Sequence, residues 1–240
     1  MNKQTLVDTL RGARLSEDDY RSQESLDKVA EILAADEIDL QDLKTRILSC
    51  GVPSAQRSTV WKLLLGYLPP ARSQWDETVR AKRASYKAKA AAYNESIEKG
   101  TIEKKKVLKD ISVDIPRSYI EGYQQVCYDE GIRKIVKRLL YIWASNDAIG
   151  YYQGMMDLLY AVLIVNMTEG MENREITDLG EFAGKVGGEE KFAELMENVE
   201  ADTFYCFDGL MKFLGVFLYN SFSLNQTNIF LFYCLECIWR

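Results

Sequence analysis

The chain has 240 residues, 47% hydrophobic and 28% charged, with a formal net charge of −6, the profile of an ordinary globular protein with material for a large core. It contains no histidine, which excludes Ser/His and Cys/His triads and histidine-based metal sites. The acidic balance, with no basic motif on a nucleic-acid scaffold, argues against nucleic acid as a partner.

Residues 1–38 read as an acidic arm, with ten acids and two bases between Glu17 and Asp42. Leu26, Val29, Ala30 and Leu33 recur at helical spacing and allow a short amphipathic helix, although a partly ordered, solvated leader is the preferred reading. No signal-peptide pattern opens the chain, and five scattered cysteines form no disulfide framework, so a cytoplasmic location is expected. The Cys234–Cys237 pair has C-x-x-C spacing, but four zinc ligands cannot be assembled around it, and a structural or accidental reading is preferred.

Residues 39–240 read as one helical domain. Asp39 is a predicted N-cap for a helix carrying Leu40, Leu43 and Ile47, which stops at Cys50-Gly51-Val52-Pro53. Ser54 is expected to cap the next helix, through Val60, Trp61, Leu63, Leu64 and Leu65, before Gly66 and Pro69-Pro70 end it. From Thr78 to Lys106 nine bases face three acids. A nucleic-acid or membrane face is one reading; the solvated side of a long helix, with Tyr86 and Tyr93 as its packing stripe, is preferred.

Ile132, Ile135, Val136, Leu139, Leu140 and Trp143 follow helical periodicity closely, and Met155–Val165 should form a buried central helix. Residues 168–200 read as a polar surface insertion with a short helix near Lys191–Val199. Residues 208–240 read as a divergent apolar segment. Its uncharged stretch Phe213–Leu235 is interrupted by Asn220, Ser221, Ser223, Asn225, Gln226, Thr227 and Asn228. That composition suits two buried helices around a polar turn better than a membrane span.

Two strings carry candidate chemistry. In Ile111-Ser-Val-Asp114-Ile-Pro-Arg117, Pro116 should push Ile115 toward an extended conformation and make Asp114–Arg117 a stiff loop. Such a loop mounts an arginine for an anion, and equally fits an Asp114–Arg117 pair closing a helix entry. In Gly150-Tyr151-Tyr152-Gln153-Gly154-Met155, the Gln153 amide could orient a water or serve only as a cap or turn residue.

Taken with Arg57-x-x-x-Trp61-Lys-Leu-Leu-Leu-Gly66-Tyr-Leu-Pro69, the strings Ile111-x-x-Asp114-x-x-Arg117 and Tyr151-x-Gln153-Gly154-Met155-x-Asp157-Leu158 resemble the three ordered motifs of TBC-domain proteins, activators of Rab-family small GTPases. Glu200-Ala-Asp-Thr-Phe-Tyr-Cys-Phe207 is a lesser match. The resemblance runs from about Asp39 to about Phe207. It implies an all-α, irregular multi-helix TBC-type fold, and an incomplete or altered C-terminal lobe, because the pattern departs after Phe207.

In function the resemblance implies a protein that turns over no substrate of its own. Arg117 would neutralise charge developing on the γ-phosphate of a GTP-bound Rab, and Gln153 would orient the hydrolytic water. Arg57, Trp61, Asp114, Tyr151, Gly154 and Asp157 would support them, with Arg57 a candidate partner for a carboxylate such as Asp114. The partner would carry GTP and magnesium, so no cofactor or metal of its own is expected. The role implied is in membrane trafficking, in the cytoplasm and on endomembrane surfaces without a transmembrane span. A silent Rab-binding adaptor is the alternative the altered lobe allows; a membrane-attached scaffold is a third class.

Overall fold

The computed structural model describes residues 23–52, 54–146, 150–169, 176 and 178–219. Every regular element among them is helical, apart from one isolated antiparallel bridge between Glu37 and Ala71. The chain divides into two compact units.

In the first unit, α1 (Gln23–Ala34) and α2 (Leu40–Cys50) pack on each other. The predicted amphipathic stripe is present, with Val29, Leu33, Leu43 and Ile47 buried. Asp39 caps α2 as its sequence predicts, its carboxylate accepting from the amides of Gln41 at 2.8 Å and Asp42 at 3.0 Å. These bonds satisfy amides that have no partner inside the helix. Pro70–Arg72 belongs to the same unit: Ile38 donates its amide to the Pro70 carbonyl and Arg72 its amide to that of Asp36. Residues 1–22 lie outside the described residues.

The second unit holds α3 (Arg57–Leu64), α4 (Trp75–Glu98), α5 (Lys105–Asp114), α6 (Gln124–Tyr128), α7 (Glu130–Asn146), α8 (Met155–Met167), α9 (Leu179–Val186) and α10 (Glu189–Tyr219). At its centre is α8, buried on nearly every side, with Met156, Leu159, Tyr160 and Leu163 fully enclosed. Each such side chain contributes about 1.5–3 kcal/mol by leaving water. Against α8 lie α10, α7 and α3; α4 packs on α10 and α7, and α5 on α7. The Lys/Ala-rich run is a long helix as expected, with Tyr86 buried and the Tyr93 ring 5.3 Å from that of Tyr141.

The structure departs from several of these expectations. Residues Ser54–Gln56 form a 3-10 turn, and the N-cap position of α3 falls on Gln56 with no side-chain bond, so Ser54 is not the cap. Ile115 is helical at φ −47°, ψ −49°, and Ile115–Arg117 is a 3-10 turn continuing α5 rather than an extended loop. The pre-proline bias is only a preference, and Pro116 is accommodated in the short 3-10 turn that follows α5.

The short helix placed near Lys191–Val199 is instead part of α10, 31 residues long. It runs unbroken through Glu200–Phe207 and includes Phe213, expected to begin a separate helix. The sequence reads residues 168–200 as surface because charges dominate the composition, yet Thr168, Ile176, Phe182, Met196 and Val199 are buried. Residues 220–240, with Cys234, Cys237 and most of the uncharged stretch, lie outside the described residues.

At Gly209 the backbone of α10 passes against the end of α3: an added Cβ would lie 2.1 Å from the Leu65 carbonyl oxygen. Inside a helix, Gly→Ala ordinarily gains about 1 kcal/mol. Here the obstacle is backbone and cannot rotate away. Gly209→Ala is therefore expected to destabilise by about 1–3 kcal/mol, the usual range for overpacking, read as a lower urea midpoint at unchanged slope.

Candidate functional site

Arg117 ends the 3-10 turn that continues α5, and both it and Pro116 are exposed. No carboxylate among the described residues forms an ion pair with it. Pro116 fixes one dihedral of the turn, while Ile115 and Ile120 on either side are buried at 8% and 3% exposure. The arginine thus projects from a segment anchored at both ends.

Gln153 lies in the turn Tyr152–Met155 that opens α8, exposed like its neighbour Tyr152. Gly154 adopts φ 95° with nothing within 4 Å of where a Cβ would be. The requirement at 154 is therefore the left-handed backbone, costly by about 1–2 kcal/mol for other residues, rather than space. Met155 closes the turn: its amide donates to the Tyr152 carbonyl at 3.2 Å, and its sulfur accepts from the Tyr152 amide at 3.3 Å.

The two turns meet through side chains on either side of each exposed residue. Three residues before Arg117, Asp114 accepts a hydrogen bond from the Tyr151 hydroxyl at 2.8 Å; Tyr151 is two residues before Gln153. One residue after Arg117, Ser118 faces the carboxylate of Asp157 and favours its charged form; Asp157 is four residues after Gln153. Burial, and then the Asp114 bond and charge, hold the Tyr151 hydroxyl protonated well above the usual tyrosine range. Partial burial raises the Asp157 pKa, the Asp114 charge adds to this, and Ser118 opposes it.

Asp114 thus takes Tyr151 as its partner, where the sequence suggests Arg57. This hydroxyl-to-carboxylate bond ties the glutamine turn to the arginine turn, and its removal should loosen one against the other. A hydrogen bond to a charged group contributes about 1.5–3 kcal/mol net when buried, and less at this half-buried position. If the two turns act together on one reaction, Tyr151→Phe should lower the rate at saturation about 10-fold, with little change in the concentration giving half the effect. Rate-versus-concentration curves for both proteins check this.

Arg57 and Trp61, at 8% and 4% exposure, stand further back. Their helix packs on α8: Ser58 Oγ donates to Asn166 Oδ1 at 3.0 Å, eleven residues beyond Met155 and so about 16 Å along the axis. The structure therefore brings Asp114, Tyr151, Gly154 and Asp157 around Arg117 and Gln153, and places Ser58 of the Arg57–Trp61 helix against the distal end of α8.

Sequence reasoning assigned no role to a buried charged framework behind these elements. Lys62, at 4% exposure, reaches Asp202 at 2.9 Å and Glu169 at 2.8 Å. Asp202, at 2%, accepts from Tyr67 at 2.6 Å and from Arg83 through two bonds of 2.9 and 2.8 Å. Two residues earlier, Glu200 binds Arg138 through bonds of 2.6 and 2.5 Å and accepts from Tyr86 at 2.5 Å. The available signal was a charge inside an apolar run, Lys62 between Trp61 and Leu63.

A model of the Rab-GTPase-TBC domain matches residues 54–238. TBC1 domain family member 22A of Homo sapiens is 32% identical over 208 residues, covering 85% of this chain and 36% of that protein. The GTPase-activating protein gyp1 of Schizosaccharomyces pombe is 33% identical over 151 residues, 62% of this chain and 28% of that one. The chain thus spans only 36% and 28% of the length of these two curated relatives. In fold it is similar to the crystal structure of the Ypt/Rab-GAP domain of Gyp1p, with a TM-score of 0.64 at 24% identity, covering 90% of this chain and 70% of that one. With the family model matched over most of its length, the chain belongs to the Rab-GTPase-TBC domain family.

Proposed function

We propose that this protein is a GTPase activator for a GTP-bound Rab-family GTPase, supplying Arg117 and Gln153 in trans. The reading is carried by the Asp114–Tyr151 bond, which joins two turns each presenting one exposed polar side chain. Arg117 neutralises charge that develops on the γ-phosphate oxygens as the bond to the leaving group breaks. Gln153 holds the attacking water in line through its amide oxygen and N–H. Neither side chain changes protonation, in keeping with a chain without histidine.

Magnesium and nucleotide belong to the partner. Arg57 and Trp61 act at a distance, by holding α3 against α8, and Gly154 and Asp157 set the turn that presents Gln153. The protein works in membrane trafficking from the cytoplasm, meeting its partner on endomembranes as a peripheral protein. No helix among the described residues is long and apolar enough to cross a membrane.

Single-turnover GTP hydrolysis across a panel of purified Rab GTPases tests the proposal. The wild-type chain should accelerate at least one member, and Arg117→Ala and Gln153→Ala should each abolish most of that acceleration while keeping the helical circular-dichroism spectrum. Acceleration of none would leave a Rab-binding adaptor as the better reading.

A further inference from the structure

Among the described residues five large hydrophobic side chains are exposed: Ile97 at 44%, Val113 at 45%, Tyr119 at 49%, Tyr128 at 47% and Tyr152 at 61%. Three of the five immediately adjoin residues that link the two turns. Val113 precedes Asp114, Tyr119 follows Ser118, and Tyr152 follows Tyr151. A fourth, Tyr128, sets its ring 6.0 Å from that of Tyr119. Exposed apolar side chains therefore sit next, along the chain, to residues that link the Arg117 and Gln153 turns.

These side chains are held in place. The Ile120 amide donates to Cys127 Sγ at 3.4 Å, fixing the segment after Tyr119 against the end of α6. Tyr160 of α8 donates its hydroxyl to the Cys127 carbonyl at 3.2 Å, and Arg133 Nε donates to that carbonyl at 3.1 Å. The Arg133 guanidinium also lies 5.2 Å from the Tyr128 ring centre. Tyr128 is thus gripped on one side by a cation and on another by Tyr119, with nearly half its surface left in water.

Exposed apolar side chains gathered in one place mark a contact surface, whereas isolated ones are ordinary. Rigid tyrosines with one polar end are the side chains that anchor protein interfaces. We propose that Val113, Tyr119, Tyr128 and Tyr152 form the docking surface for the GTPase that Arg117 and Gln153 serve. This rests on the activator reading above and adds where the binding energy comes from. The occupant is a protein face with an apolar centre beside its nucleotide site. That arrangement brings the γ-phosphate to Arg117 while the rings supply binding energy away from the reacting atoms.

Binding and rate then separate by residue. Tyr119→Ala and Tyr128→Ala should each weaken the Kd for a Rab loaded with a non-hydrolysable GTP analogue by about 10-fold or more, as for an interface anchor. The hydrolysis rate at saturating chain should stay within about twofold of wild type, because neither ring touches the reacting atoms. Ile97→Ala, at the exposed end of α4, should change neither quantity. Should either alanine variant lose its helical spectrum, Tyr152→Glu, at the most exposed of the four positions, carries the same expectation for Kd.

The experiment measures Kd by calorimetry against each member of a Rab panel in the analogue-loaded form, then single-turnover hydrolysis on the tightest binder. Unchanged Kd in the tyrosine variants, or no member bound by the wild-type chain, would overturn the proposal. Weakened binding in those variants, with hydrolysis unaffected by Arg117→Ala and Gln153→Ala, would uphold the docking surface and remove the finger roles instead.

Discussion

Arg117→Ala is expected to cut the acceleration of GTP hydrolysis by about 10³–10⁵, the range typical of an arginine supplied in trans. At 1.36 kcal/mol per decade this is about 4–7 kcal/mol of transition-state stabilisation. The fold should not notice: Arg117 is exposed, and no described carboxylate pairs with it. Surface changes of that kind usually move stability by less than about 0.5 kcal/mol. A large rate loss at constant melting temperature is therefore the signature to look for.

Arg117→Lys should recover only part of the loss, because a point charge replaces a planar fork that can hold two phosphate oxygens at once. Gln153→Ala should act in the same direction as Arg117→Ala. The double variant should lose less than the product of the two single losses, since the Asp114–Tyr151 bond makes the two turns a unit. Wild-type rates in Arg117→Ala would end the dual-finger reading.

The largest effect on stability is expected at Asp202. Burial penalises its charge, but the Arg83 bonds, the Lys62 charge and the Tyr67 hydroxyl outweigh that penalty and hold the carboxylate below its usual pKa. Lys62 shows the complement: burial favours its neutral form, but the charges of Asp202 and Glu169 win and raise its pKa. Removing one partner of a buried pair costs about 3–5 kcal/mol when the other is left uncompensated. In Asp202→Ala, Lys62 keeps Glu169, and Arg83, a third exposed, can turn to water. The low end, about 3 kcal/mol, is therefore expected.

Lys62→Met should cost less, because Asp202 would keep Arg83 and Tyr67. The pH dependence follows from the direction of the shift. A carboxylate whose folded pKa lies below its unfolded value stabilises the fold fully above that unfolded value, about 4. The contribution disappears as pH falls further, through the folded pKa. Urea midpoints for wild type and Asp202→Asn should therefore differ most above about pH 5 and converge toward pH 2–3. A constant gap down to the lowest pH would show that lost packing, not the charge, accounts for the difference.

Apolar period was enough to locate α2, α7 and α8 and to mark α1 as a candidate, with α2 also punctuated by Asp39 and Gly51 and α8 by Gly154. It failed where local preferences compete with the tertiary environment. The bias against helix before Pro116 was overridden in a turn that continues α5. The acids of 168–200 disguised the start of α10, whose buried acids, Glu200 and then Asp202 just beyond, are paired with distant residues. Arg138 meets Glu200 across 62 positions, and Arg83 meets Asp202 across 119; no local window contains such pairs.

The sequence by itself determined the helical class, the family, and which side chains, Arg117 and Gln153, are candidates for chemistry. Residue type and short spacing carry that information, because proline, glycine and apolar period act within a few residues of chain. Only the tertiary structure decided that Asp114 serves Tyr151, that Glu200 and Asp202 anchor α3, α4 and α7 to α10, and that the exposed rings collect around the two turns. Each of these depends on which residues meet in space, and that is set by packing helices far apart in the chain.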